Sequence, residues 1–392
     1  MDITPSAHSL LDNDFYKFTM QYAVVKLFPD AKVHYQFINR GKHAFPEGFG
    51  KALRHVVDTM GELKLTKEEK QFVLRNCPYL DPAYLDFLQG YHYDPSEVKI
   101  EQEGSELHVS VSGYWYRTIL WEVPLLSFIS ELYYKLNGLQ RISDDEVKRI
   151  TKEKIDRYNA LGVTVADFGT RRRHSYAVHR LVLEALKENG GNSFIGTSNV
   201  HLAMLYNTKP IGTHAHEWFM FHAARYGYKM ANALGLEHWV DVFRGDLGIA
   251  LSDTYTTDVF FEQFDKKFAK LFDGVRHDSG EPIAFAEKTI THYQKLGINP
   301  LYKTITFSDG LNYEKVETIA AFCKGKINAS FGIGTNLTND VGLTPMNIVM
   351  KLTEAQPANM KWASTIKLSD EKGKYTGDPK MIELAKIILG ID

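Results

Sequence analysis

The chain of 392 residues is 44% hydrophobic, enough apolar material to bury a large core in about two to three domains. Its formal net charge is −2 with charged residues at 24%, so no general field draws it to nucleic acid or anionic lipid, and any polyanion must be held locally. Cys77 and Cys323 stand far apart, which argues against a disulfide scaffold; with no basic leader and no run near the roughly 20 apolar residues of a membrane span, the expectation is a cytoplasmic protein.

The first third reads as mixed α and β. "AKVHYQFI" alternates like a strand. "LTKEEKQFVLRN" opens a helix on Thr66 and Glu69 as a capping box, and "SEVKIEQEGSELHVSVSG" reads as a hairpin. From Val163 the texture changes to short apolar runs that end in glycine or small polar residues before helical segments: "VTVADFGT", "NSFIGT", "KPIGT", "LGIALSDT", "FDGVRHDSG", "KTITFSDG" and "NASFGIGT". The helices between them are well formed, as in "EPIAFAEKTITHYQKLG", capped by Gly297, and "LNYEKVETIAAFCKG", closed by Gly325. Repeated βα units make either an open doubly wound sheet or a closed barrel, and about seven or eight units favour the barrel. The polar tail "SDEKGKYTGDPKM" is expected to be a surface hairpin.

In such a fold the chemistry sits at the carboxyl ends of the strands, where this sequence concentrates its Gly-Thr pairs, arginines, histidines and aspartates. Gly169-Thr170, Gly196-Thr197, Gly212-Thr213 and Gly334-Thr335 suit an anion: glycine lets backbone N–H groups approach it and threonine adds a donor. "FGIGTNLTND", with Gly332, Gly334 and Thr335, is the strongest phosphate candidate. "DFGTRRRHS" puts Arg171, Arg172 and Arg173 just past a buried strand, and Arg171, nearest its end, is the natural anion contact. In "GVRHDSG" the alternation of an extended segment turns Arg276 and Asp278 to one side and His277 to the other. Asp253 and Asp309, from "ALSDTY" and "FSDG", add two more carboxylates. "GTHAHEW" sets His214 and His216 one residue apart with Glu217 beside the second, which by itself allows a metal pair, a phosphoryl carrier or plain packing.

"DNDFYKFTMQ", "DFGTRRR", "GTSNV", "GTHAHEW", "VRHDSG", "FSDG" and "FGIGTN" occur in the order seen in nicotinate phosphoribosyltransferases, and the resemblance runs along nearly the whole chain. It implies an irregular (β/α) barrel beside an N-terminal α/β domain, the phosphoribosyltransferase type II-like fold. The expected division is 1–135 for the N-terminal domain, with the tail of about 346–392 packed on it, and 136–345 for the barrel. The activity implied couples nicotinate to phosphoribosyl pyrophosphate with ATP hydrolysis, in a homodimer with shared active sites and with Mg2+ as cofactor.

The resemblance makes His216 the phosphorylated histidine; Glu217, the carboxylate next to it, is expected to orient its ring. Tyr16, delivered from a neighbouring subunit, and Phe168 resemble the residues stacked on the pyridine ring. Arg171, Thr213 and Arg276 resemble those around nicotinate and the ribose, Asp278 the carboxylate near the ribose, and Asp309, Gly310, Gly332, Gly334 and Thr335 the phosphate holders. Ser198 stands where relatives specific for nicotinamide place an aspartate, which favours the acid. The alternatives are a metal-dependent barrel hydrolase using His214 and His216, and a non-catalytic nucleotide sensor.

Overall fold

The computed structural model describes residues 7–371 and 374–391. Its backbone contacts divide the chain into two units that are each discontinuous in sequence. The first comprises the residues up to Tyr22, His34–Gly212 and Ile333–Lys351; the second comprises Ala23–Val33, Thr213–Gly332 and the chain from Leu352 onward. These limits differ from the sequential division at 135/136.

In the first unit the predicted hairpin is present. β2 (Val98–Glu103) pairs antiparallel with β3 (Glu106–Tyr114), from Val98↔Val111 to Glu103↔Glu106, and β1 (Lys32–Asn39) follows β3 in the sheet order. The helix Lys67–Asn76 begins with the expected capping box, Thr66 accepting from Glu69 N and Glu69 reaching back to the Thr66 N–H. β4 (Thr164–Asp167) and β5 (Phe194–Thr197) pair in parallel, joined by the helix Tyr176–Asn189, as a βα repeat requires. "KPIGT" does not form a strand: Pro210 makes one isolated parallel bridge to Thr197, and with no N–H of its own it cannot extend a ladder. Six of the seven predicted endings therefore close strands.

The second unit carries the run β6 (Ile249–Leu251), β7 (Gly274–His277), β8 (Thr304–Phe307) and β9 (Asn328–Ile333), each parallel to the next. Helices Thr257–Gln263, Pro282–Lys295 and Tyr313–Cys323 follow the first three strands. A Cβ on Gly274 would fall 1.8 Å from the Thr304 carbonyl oxygen, so only glycine lets β7 start against β8. β10 (Ile348–Gln356) pairs antiparallel with β11 (Ala363–Ser364) through Glu354 and Ala355. Beyond it the tail folds back through an antiparallel bridge between Lys367 and Thr376, as expected of a hairpin. It is not a surface feature throughout, because Lys367, Ser369 and Thr376 are buried. Among the described residues no helix is long and apolar enough to cross a membrane.

Candidate active site

The second unit builds its site from three consecutive strand ends. β6 stops at Leu251, β7 at His277 and β8 at Phe307, and the loop after each is polar: it presents Asp253 after β6, Asp278 after β7, and Ser308 and Asp309 after β8. His216 is the first residue of the helix His216–Tyr226, so its ring stands where the helix presents unpaired N–H groups and its positive dipole end.

The imidazole Nε2 lies 2.8 Å from Asp253 Oδ1 and 3.6 Å from Asp278 Oδ2. The other oxygen of Asp253 is held by Lys367 Nζ at 2.8 Å and by the Ser279 hydroxyl at 2.6 Å. Asp278 accepts from Ser308 Oγ at 2.7 Å and lies 4.0 Å from Arg276 Nη2, while Arg276 Nη1 donates to the His214 carbonyl at 3.3 Å. The side of β7 predicted for Arg276 and Asp278 is thus theirs. His277 is buried the other way, 5.1 Å from the Phe285 ring and 5.6 Å from that of Phe307.

These contacts set the charge states. Burial, helped by the Lys367 ammonium, pushes the His216 imidazolium down to about 4 against the opposing pull of Asp253 and Asp278, so the ring is neutral at pH 7. Asp253 is buried, which disfavours its charge, but His216 and Lys367 hold it well below the usual carboxylate range. The neutral ring gives its Nε2–H to Asp253. Among the described residues no hydrogen-bond partner holds Nδ1, which leaves that nitrogen with its lone pair available.

The two histidines of "GTHAHEW" separate completely. His214 has no exposed surface and packs edge-on to Phe219 at 5.1 Å and Trp239 at 4.7 Å. Among the described residues one group could hold a metal, His216, Asp253 and Asp278, and His214 is not in it. Both carboxylates of that group already face cations, Lys367 and Arg276, so a further cation gains little there. The arrangement favours an oriented imidazole over a zinc cage. Glu217 is buried in the first turn of the same helix, but the carboxylate that takes the ring's Nε2–H is Asp253, a correction to the part expected of Glu217.

Thr213 donates its hydroxyl to the Ile249 carbonyl at 3.0 Å. Asp309 lies 3.8 Å from Lys374, and burial together with the charge of Asp278 pushes its carboxyl up. Gly310 next to it has φ 54°, a conformation that favours glycine. Gly332 lies inside β9. Lys367 is the residue that sequence reasoning missed, since a lone lysine in a tail without motif carries no spacing signal. Its position follows from backbone bonds: Leu368 N donates to the Thr254 carbonyl at 2.9 Å, and Lys367 and Thr376 exchange two bonds of 2.9 Å.

In the first unit Arg171 sits in the turn Thr170–Arg172 after β4, with Nη1 3.4 Å from Glu122 and Nε 3.8 Å from Asp14. Its side chain stays 41% exposed, so it is aimed by two carboxylates without being consumed by them. Lys17 bonds the other oxygen of Glu122 at 2.7 Å and lies 5.6 Å from the centre of the Tyr16 ring. The backbone of Tyr16 runs close against Gly212, where a Cβ would come within 2.8 Å of Tyr16 N. Phe168 donates its N–H to Ile333 O at 2.8 Å directly after β4. The Ser198 hydroxyl, buried after β5, donates to Asp14 Oδ1 at 2.7 Å, and burial pushes the Asp14 carboxyl up. Gly334 caps the single turn Thr335–Thr338. Arg173 is no ligand contact, being buried and paired through two 2.7 Å bonds to Asp12.

Residues 163–390 match the nicotinate phosphoribosyltransferase (NAPRTase) family, and residues 11–130 match the N-terminal domain of that family. A nicotinate phosphoribosyltransferase of Chromohalobacter salexigens is 62% identical over 98% of both chains, and one of Desulforapulum autotrophicum is 51% identical over 97% of both. The crystal structure of the nicotinate phosphoribosyltransferase from Porphyromonas gingivalis superposes with a TM-score of 0.96 at 46% identity, covering 98% of this chain and 100% of that one.

Proposed function

The chain belongs to the nicotinate phosphoribosyltransferase family, and from that premise we propose how its own residues carry the reaction. It is an enzyme of that class, a glycosyltransferase of NAD biosynthesis with the type II phosphoribosyltransferase fold. The proposed reaction joins nicotinate to phosphoribosyl pyrophosphate, giving nicotinate mononucleotide and pyrophosphate, coupled to hydrolysis of ATP through a transient phosphoryl group on His216. The observation that carries the coupling is the 2.8 Å bond from Nε2 to Asp253, which fixes the tautomer and aims Nδ1 outward from the carboxylate.

In the phosphoryl step Nδ1 attacks the γ-phosphorus of ATP. The Nδ1–P bond forms, the bond to the β–γ bridging oxygen breaks, and its electron pair leaves with ADP. The Nε2 proton stays in the bond to Asp253, whose charge balances the positive charge developing on the ring. Water later cleaves the N–P bond, releasing phosphate and returning the lone pair to Nδ1. The phosphoryl group would lie at the N-terminus of an 11-residue helix, a position that favours anions.

For the transfer itself the ring nitrogen of nicotinate forms a bond to the ribose carbon as the bond to pyrophosphate breaks. Arg171 meets the nicotinate carboxylate, Tyr16 and Phe168 face the pyridine ring, and Ser198, bound to Asp14, lines the acid side. Thr213, Arg276 and Asp278 attend the ribose, where a carboxylate stabilises positive charge developing on the sugar. Gly310, Gly334 and Thr335 hold phosphates. The family implies Mg2+, and Asp309, a partly exposed carboxylate 3.8 Å from Lys374, offers oxygen donors of the kind that ion takes and would hold it. When bound, Mg2+ would neutralise phosphate charge. The enzyme is proposed to act as a homodimer with Tyr16 delivered across it.

The test is incubation with nicotinate, phosphoribosyl pyrophosphate and Mg2+, with and without ATP, resolving the nucleotide, pyrophosphate, ADP and phosphate formed. Nicotinate mononucleotide whose yield rises with ATP is expected; no nucleotide and no pyrophosphate would indicate the sensor instead. His214→Phe is expected to keep nucleotide formation within about threefold of the parent, because the His214 ring packs on Phe219 and Trp239 and takes no part in the His216–Asp253 contact. Loss of turnover in that variant, with the fold retained, would return His214 to the chemistry.

A further inference from the structure

The tail carries no transferable motif, yet it delivers a buried cation to the carboxylate that holds His216. Asp253 uses each oxygen differently: Oδ1 takes the imidazole at 2.8 Å, and Oδ2 takes Lys367 Nζ at 2.8 Å and Ser279 Oγ at 2.6 Å. The lysine side chain is 11% exposed, so its charge is not screened by bulk water. Its backbone is locked by the paired bonds to Thr376. Farther along the tail Asp370 accepts from Thr257 N at 2.7 Å and donates its own N–H to Ser279 Oγ at 3.2 Å. Four separate contacts therefore fix where this ammonium lies.

We propose that Lys367 is a positioning residue for phosphoryl transfer: holding Oδ2 of Asp253, it keeps Oδ1 on Nε2 of His216 and offsets the carboxylate's charge, so that the ring stays neutral with Nδ1 available. This rests on the reading of His216 as the phosphoryl acceptor. Without the lysine, a buried aspartate facing an imidazole draws a proton onto it, and an imidazolium has no lone pair for phosphorus. The charged groups facing the ring are Asp253 after β6, Asp278 after β7, Arg276 acting through Asp278, and Lys367; His214, two residues away, is held neutral by burial.

The sign follows from these neighbours. Removing Lys367 raises the proton affinity of His216, so the acid limb of the phosphorylation rate moves to higher pH. The experiment measures labelling of the enzyme by γ-labelled ATP between pH 5 and 8, with His216→Ala as blank. Lys367→Met is expected to shift the acid limb up by about two units, labelling ~10-fold slower than the parent at pH 5 with a smaller gap at pH 8, and Lys367→Arg is expected to keep the parent profile. The position of the limb does not depend on the fraction of protein folded, so a purely structural lysine would lower the amplitude and leave the limb in place. An unmoved limb in Lys367→Met, or an equal shift in Lys367→Arg, overturns the proposal. If the parent takes no label at His216, the phosphohistidine reading fails instead, and titration of the His216 ring by NMR in parent and Lys367→Met still decides the part of Lys367.

Discussion

His216→Ala is expected to lower ATP hydrolysis at least ~100-fold and to remove the ATP stimulation of nucleotide formation, a loss of roughly 2.7 kcal/mol or more of transition-state stabilisation. The size follows from what the side chain supplies. No neighbouring group can replace Nδ1 as nucleophile: Asp253 and Asp278 are engaged with cations, and His214 is enclosed by Phe219 and Trp239. The fold should survive, because the residue removed is a neutral ring. Asp253 keeps Lys367 and Ser279, so no buried charge is left alone. Steady-state ADP release in the presence and absence of nicotinate and phosphoribosyl pyrophosphate, together with thermal unfolding, separates the two effects. An ATPase rate within about threefold of the parent, a barrier change under ~0.7 kcal/mol, would mean that the phosphoryl group travels directly to water.

The sequence made the strand ends legible because they obey a local rule: short apolar runs stop at glycine or a small polar residue, and the polar group after the stop is the one presented. Asp253, Asp278 and Asp309 follow from it, and alternation alone places Arg276 and His277 on opposite sides. "KPIGT" satisfies the same pattern and still fails, since its proline withholds the N–H that a ladder needs. The pair His214 and His216 was illegible at this level. Which ring packs and which reaches the carboxylates depends on where the helix starts and on Trp239, far downstream in the next helix. Lys367 was illegible for a similar reason: only the return of the tail to Thr254 and Ser279 gives it a partner. The two discontinuous units could not be read from linkers either. Two of the points where the chain passes between them fall inside the helix Phe15–Leu27 and the strand β10, neither of which carries a compositional break.

The run Arg171-Arg172-Arg173 carries the second large effect, and it concerns stability. Asp12→Ala is expected to destabilise the protein by about 3–5 kcal/mol, lowering Tm by roughly 5–10 °C. Arg173 is 1% exposed, and both of its terminal nitrogens bond Asp12 at 2.7 Å, so truncating the carboxylate leaves a guanidinium charge in the interior with its main partner gone. Asn199 Nδ2 loses its 2.7 Å acceptor in the same step. Arg171→Ala should cost under ~1 kcal/mol of stability, because its half-exposed head is screened by water. Arg171 and Arg173 thereby divide into a half-exposed head and a buried strut that stability alone can tell apart. The pH dependence supplies an independent check. Arg173 and the bond from Asn199 hold the Asp12 carboxyl well below its usual range despite burial, so the unfolded chain binds its proton first as pH falls. The stabilisation is fully present above the unfolded value of about 4 and fades below it, so the gap in Tm between parent and Asp12→Ala should be constant from about pH 8 to 5 and narrow under about pH 4. A gap under about one degree at pH 7, or one that widens in acid, would remove Arg173 from the framework and return it to the ligand contacts.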